Sequence, residues 1–110
     1  TLKGNRPGKS VLFSAHMDTV NPGEGITPVI DEENGIIKSD GTTILGADDK
    51  AGISVLLYLM HNLKVNKNLR HGPLKIIFSV DEEIGLSSTH LDVKHTTLEL
   101  TLIVLMAKLP

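Results

Sequence analysis

Three short polar clusters carry the residue types that hydrolytic chemistry needs: His16-Met17-Asp18, Asp48-Asp49 and Asp81-Glu82-Glu83. Imidazole nitrogen and carboxylate oxygen are both zinc donors. A carboxylate can also bridge two cations, and two metals about 3.5–4 Å apart can activate a water and stabilise charge growing on a carbonyl oxygen. A further carboxylate, not itself a ligand, can take the water's proton. Glu82 and Glu83 are adjacent, so they can divide these tasks. Neighbouring strand side chains point to opposite faces, so both serve only where the strand gives way to a loop. Ile84-Gly85 permits that break. Asp18 lies two residues after His16, on the same strand face, where it can orient the imidazole. Each cluster also has a plain explanation. A His-x-Asp at a strand end is usually a solvated turn, either aspartate of Asp48-Asp49 can cap a helix, and Asp-Glu-Glu after a strand is usually a solvated loop. The argument for chemistry rests on their combination, each beside an apolar element. His61, His71, His90 and His95 have no such setting and are read as structural or surface residues.

The elements that would position these clusters can be read from the apolar pattern. Ser10 to Ala15 is a short apolar run of strand length, ending in His16. Leu74 to Val80 is a second such run, ending in Asp81. Between them, Ile53, Leu56, Leu57, Met60 and Leu63 follow helical spacing, with Asp48 and Asp49 where acidic residues favour a helix start. Strand, crossover helix, strand is the grammar of an α/β fold with a parallel or mixed sheet. Sites in such sheets form beyond the carboxyl ends of the strands. If the two strands are neighbours, all three clusters converge there. Val29 to Ser39 reads as a hairpin, with Asn34-Gly35 as a two-residue turn signal. Thr1 to Lys9 reads as a loop or frayed end, Lys64 to Pro73 as a polar connector, and Thr101 to Leu105 as a candidate third strand.

Composition removes several function classes. A chain of 110 residues predicts one domain. With 3% aromatics and no Trp, its core must be aliphatic. A formal charge of −2 offers no basic face for a polyanion, which argues against a nucleic-acid partner. No cysteine is present, so thiolate metal sites and disulfides are excluded. The longest apolar stretch, Leu98 to Ala107, falls short of the roughly 20 residues that a membrane span needs. Neither a signal peptide nor a membrane partner is expected, and a cytoplasmic location fits the lack of cysteine.

Three longer motifs extend the clusters: Ser14-Ala15-His16-Met17-Asp18-Thr19-Val20; Ser39-Asp40-Gly41-Thr42-Thr43-Ile44-Leu45-Gly46-Ala47-Asp48-Asp49-Lys50-Ala51-Gly52; and His71-Gly72-Pro73 with Phe78-Ser79-Val80-Asp81-Glu82-Glu83-Ile84-Gly85. In these the chain resembles the peptidase T group of dinuclear zinc metallopeptidases. That group lies in the larger family of carboxypeptidase G, aminoacylase and succinyl-diaminopimelate desuccinylase. The match covers about residues 8 to 93. The resemblance implies an α/β fold with a mixed, mostly parallel sheet flanked by helices, an incomplete zinc-exopeptidase-like catalytic domain. It implies His16 as ligand of one zinc, Asp48 as the bridge between two, and Glu83 as ligand of the other. It implies Glu82 as general base and Asp18 as the residue that holds His16. Asp49 is then a motif neighbour with no ligand role. The implied reaction is hydrolysis of a peptide bond in a small peptide substrate, as in a tripeptide aminopeptidase. Full-length relatives would form homodimers through a lid domain.

The chain also departs from that pattern. The lid domain, a further ligating carboxylate and a C-terminal ligating histidine are not assignable, and residues 94–110 diverge. Where the family has Leu-Asp-Gly, this sequence reads Met106-Ala107-Lys108-Leu109-Pro110. A one-base loss would account for the change, as a hypothesis: GAT GGC GAA ATT GCC, without its first G, reads ATG GCG AAA TTG CC, which begins Met-Ala-Lys-Leu-Pro. Two zincs sharing three donors would each be short of a ligand, so weak metal binding and little peptidase activity are expected of this chain alone. Three other readings stay open: a non-catalytic truncated fragment, a metal-binding remnant without turnover, and a deacylase of N-acyl amino acids.

Overall fold

The computed structural model describes residues 1–90. The candidate third strand and the divergent segment 94–110 lie outside the described residues. Strand β1 (Val11–His16) is followed by the hairpin strands β2 (Pro28–Asp31) and β3 (Ile36–Ser39). Then come helix α1 (Ala47–Val65), strand β4 (Leu74–Ser79) and a short 3-10 turn (Ser87–His90). The class is α/β, as the alternation of apolar runs predicts.

β1 and β4 pair in parallel, from Val11 opposite Leu74 to His16 opposite Ser79. A crossover connection through α1 is what parallel neighbours require. Helix α1 packs on β1. Buried Leu12 and Ala15 of β1, Leu56 of α1 and Leu74 of β4 form the core, which is aliphatic as the composition demands. The antiparallel pair β2–β3 stands apart as a sheet of its own.

Local details differ from the sequence reading in four places. Helix residues Gly52 and Leu56 are buried, and Ile53, Leu59, Met60 and Leu63 are half-buried, which follows the helical period. Leu57 lies outside that stripe, 51% exposed, because it sits about 100° round the helix from Leu56. The hairpin loop has four residues, Glu32 to Gly35, since Asp31 pairs with Ile36. A two-residue type I′ turn needs positive φ at both central positions. Here Gly35 has φ +65°, whereas Asn34 is not among the positive-φ residues. The Asp31 carboxylate instead accepts hydrogen bonds from the Asn34 backbone N–H (3.0 Å) and its side-chain amide (3.0 Å).

The N-terminal segment is not frayed. Leu2 and Leu74 exchange backbone hydrogen bonds of 2.7 and 3.0 Å, so Leu2 adds a bridge to the edge of β4. Asn5 accepts the His71 N–H at 2.9 Å and donates its amide to the Leu69 carbonyl at 2.7 Å. Those side-chain bonds span more than sixty residues of sequence, and no local pattern announces them. Finally, α1 is irregular at its start. Asp48 (φ −87°, ψ 114°) and Asp49 (φ −111°, ψ 36°) are non-helical and joined by a cis peptide, so the regular turns begin at Lys50. Among the described residues no helix is long and apolar enough to cross a membrane.

Candidate metal centre

The parallel register brings the polar clusters together. His16 closes β1 opposite Ser79, and the next hydrogen bond, from the Met17 N–H to the Ser79 carbonyl (2.9 Å), carries the pairing one step further. The chain beyond β4 then turns sharply. Asp81 adopts φ +60°, and two hydrogen bonds of 2.8 Å, Gly85 N–H to Glu82 O and Leu86 N–H to Asp81 O, close the loop. Strand β4 ends at Ser79, one residue short of the Val80 that the apolar run predicted, so the turn at Asp81 precedes both glutamates. That break lets consecutive glutamates face the same region.

Donor atoms of His16, Asp48 and Glu83 lie within 4.8 Å of one another. The His16 Nε2 stands 3.1 Å from Asp48 Oδ1 and 3.9 Å from Glu82 Oε2. Two donors on one tetrahedral zinc lie about 3.4 Å apart, given bond lengths near 2.1 Å. The spacing and the chemistry of the set therefore fit a small divalent cation, with imidazole and carboxylates and no thiolate. The three donors come from three separate elements: the end of β1, the entry to α1 and the loop after β4.

The imidazole is buried and held at its far side. Its Nδ1–H donates to the Asp18 main-chain carbonyl at 3.0 Å, which fixes the tautomer and aims Nε2 at the carboxylates. The Asp18 carboxylate is farther, with Oδ1 3.5 Å from Nδ1. Its Oδ2 accepts the Glu83 backbone N–H at 3.0 Å. Asp18 thus couples the His16 strand end to the Glu83 loop, a contact that its sequence position beside His16 does not disclose. Its Oδ1 is buried and, among the described residues, has no hydrogen-bond partner.

The charges follow from these contacts. Burial works against a protonated His16, but the Asp48 hydrogen bond, the Asp18 carbonyl and the nearby Glu82 and Asp48 charges outweigh it. Its pKa lies above the ordinary 6.5. Desolvation pushes the Asp18 carboxyl upward, yet the backbone N–H groups of Glu83 and Glu82 and the His16 charge bring it below its ordinary value.

Asp48 and Asp49, which residue type and spacing cannot tell apart, take different tasks. Asp49 is buried, and its Oδ1 accepts the Gly52 N–H at 3.1 Å, the bond of a helix cap to the third residue beyond it. The Asp48 side chain is 67% exposed and turns to His16. Lys50 was not singled out from sequence; its Nζ donates to the Met17 carbonyl at 3.2 Å and ties the first helical turn to the end of β1. A shallow depression of about 420 Å³ adjoins the donors, walled by Val20, Ile44 and Leu45 and reaching Asp48 and Glu83.

A parallel β–α–β unit thus gathers imidazole and carboxylate donors beyond its strand ends, the arrangement of a candidate metal site in an α/β fold. Residues 12–99 match the family described as Peptidase family M20/M25/M40, and the chain belongs to that family. It is similar to the uncharacterized protein YqjE of Bacillus subtilis strain 168, at 50% identity over 78% of this chain and 22% of that protein. Two solved structures share its fold. One is the aminopeptidase PepT of Bacillus cereus, with TM-score 0.72 and 47% identity over 83% of this chain and 24% of that one. The other is a tripeptidase of Staphylococcus aureus, with TM-score 0.75 and 36% identity over the same shares, 83% and 24%. The chain spans about a quarter of the length of these relatives.

Proposed function

We propose that this segment carries part of the metal centre of a peptide-bond hydrolase that acts on small peptides, in the manner of a tripeptide aminopeptidase. The observation that carries the reading is the convergence of His16, Asp48 and Glu83 within 4.8 Å at the carboxyl ends of β1 and β4. In this reading those three residues would hold divalent cations, zinc by the chemistry of the donors, and Asp48 would be the carboxylate that serves both ions of a complete centre. Zinc bound there would polarise the scissile carbonyl and make water a stronger acid.

The chain's own residues do the rest. Glu82 is half-exposed beside the donors, 3.9 Å from His16 Nε2, and serves as the base that takes the proton of the attacking water. Asp18 does not touch substrate. It fixes the imidazole through its carbonyl and the Glu83 loop through its carboxylate. The apolar wall of Val20, Ile44 and Leu45 receives a substrate side chain. Support comes from membership of the family and from two peptidase structures that share the fold.

Calorimetric titration of zinc into the chain, beside His16→Ala and Glu83→Gln variants, tests the centre. Binding that either substitution weakens at least tenfold supports it; equal binding by all three proteins rejects it. Tripeptide hydrolysis with added zinc, lost in Glu82→Gln, tests the reaction. A second reading, a metal-binding segment without turnover, is favoured by the count of convergent donors among the described residues. Three suffice for one catalytic zinc but not for two. It predicts one bound ion and no hydrolysis, whereas tight binding of two ions would exclude it.

A further inference from the structure

Asp48 is placed almost entirely by its backbone. Its side chain is exposed, and among the described residues its one hydrogen bond is to His16 Nε2. With two thirds of that side chain exposed, the polypeptide on either side must do most of the holding. On the helix side that polypeptide is Asp49, whose carboxylate is buried beneath the first turn and accepts the Gly52 N–H at 3.1 Å.

Gly52 leaves room for this arrangement. Glycine inside a helix loses more conformational freedom than any other residue, so it needs a reason to be there. A Cβ at position 52 would overlap the Asp49 carboxylate, lying 2.8 Å from its Cγ and Oδ2. The missing side chain is thus the space in which Asp49 sits. Two residues share one device: a buried carboxylate that begins the helix, and a helix position left bare to receive it.

We infer that Asp49 is a positioning residue, whose bond to the Gly52 N–H locks the bend at the entry to α1 and so holds the Asp48 carboxylate against His16. The inference rests on the metal-centre reading for its consequence but not for its geometry. Asp49 acts as a hydrogen-bond acceptor, not as a charge, so any side chain that can accept the same N–H should serve.

Two substitutions separate this from a general role in helix stability. Asp49→Ala removes the acceptor and Asp49→Asn keeps one. Gly52→Ala leaves both aspartates in place but fills the space beneath them. Alanine favours helix over glycine, so a role confined to helix stability expects Gly52→Ala to be neutral or stabilising. Positioning expects it to behave like Asp49→Ala. The first readout, on the metal-free 110-residue chain, is the nuclear Overhauser contact between the Asp48 β-protons and the His16 ring. The second is the zinc dissociation constant by calorimetry.

The expected result is loss of the contact and at least tenfold weaker zinc binding in Asp49→Ala and Gly52→Ala, both largely restored in Asp49→Asn. An undiminished contact in Gly52→Ala overturns the inference, as does an Asp49→Asn variant as impaired as Asp49→Ala. So does zinc affinity that stays level when the contact is lost. If the parent chain binds no zinc, the metal-centre reading fails, and the ring contact still decides whether Asp49 holds Asp48. Should Asp49→Ala not fold, Gly52→Ala carries the decision.

Discussion

At position 18 a single residue serves two elements: its carbonyl fixes the His16 ring and its carboxylate captures the Glu83 N–H at 3.0 Å. Replacing it by alanine leaves the carbonyl and removes the capture. Asp18→Ala should therefore weaken zinc binding about 10- to 100-fold, the usual cost of losing a group that orients ligands. Asp18→Asn retains an acceptor for the Glu83 N–H and should lose less. Calorimetry on both variants gives the ranking, and an asparagine variant worse than alanine would point to charge instead of capture. His16 supplies a second test, through pH. In the metal-free chain the protonated ring pairs with Asp48. Because its folded pKa is raised above 6.5, that pairing stabilises the fold fully below about 6.5 and is lost as pH rises through the folded value. Zinc binding runs the other way and weakens as pH falls through the same value, since the cation needs the unprotonated nitrogen. A metal-free NMR titration of the His16 ring should show a midpoint above 6.5, and one at or below 6.5 would mean the Asp48 pairing is absent. Sequence disclosed the chemical types here and their order. Residue type and spacing could not divide Asp48 from Asp49, because capping and ligation ask for the same side chain; only the motif resemblance gave them different roles. Nor could sequence disclose the Asp18–Glu83 bond, which joins residues 65 apart.

Among the elements, β1 and β4 were legible because continuous apolar runs of strand length have few other uses, and α1 because its apolar period is long. The hairpin was legible in kind but not in detail. Asn34-Gly35 suits a two-residue turn locally, yet the Asp31 side chain offers Asn34 two acceptors and the loop widens to four residues. Competition from a neighbouring carboxylate is the sort of effect that dipeptide preference omits. Gly35 then bears the left-handed turn by itself, at φ +65°. Gly35→Ala should destabilise the hairpin by about 1 kcal/mol, the cost of a left-handed β-carbon. Amide exchange in β3 reads it directly, as a roughly fivefold loss of protection. Two-stranded sheets are marginal when isolated, and Ile30 and Ile37, paired across this one, are 65% and 55% exposed. A Gly35→Ala variant with unchanged protection would show that packing, not the turn, holds the strands.

For the molecule as a whole, the question is what joins β1, the entry to α1 and the β4 loop. Hydrophobic burial among the described residues is thin: Leu12, Ala15, Leu56 and Leu74 are the buried apolar side chains, and none is fully enclosed. The donors His16, Asp48 and Glu83 belong to those same three elements, so a cation that takes all three cross-links them. An unfolded chain does not hold these donors together, so binding energy becomes folding energy. At a free zinc concentration about 100-fold above the dissociation constant, the gain is about 2.7 kcal/mol. For a domain near 100 residues, each kcal/mol moves the melting temperature by about 4–8 °C. Zinc should therefore raise the Tm of this chain by on the order of 10 °C, and His16→Ala, which also lowers the metal-free Tm because it empties a buried, hydrogen-bonded position, should abolish the rise. Differential scanning calorimetry with and without zinc measures both. Equal shifts in parent and variant would mean that zinc is bound elsewhere. No shift at saturating zinc would mean that the three donors, although close, do not act on one ion.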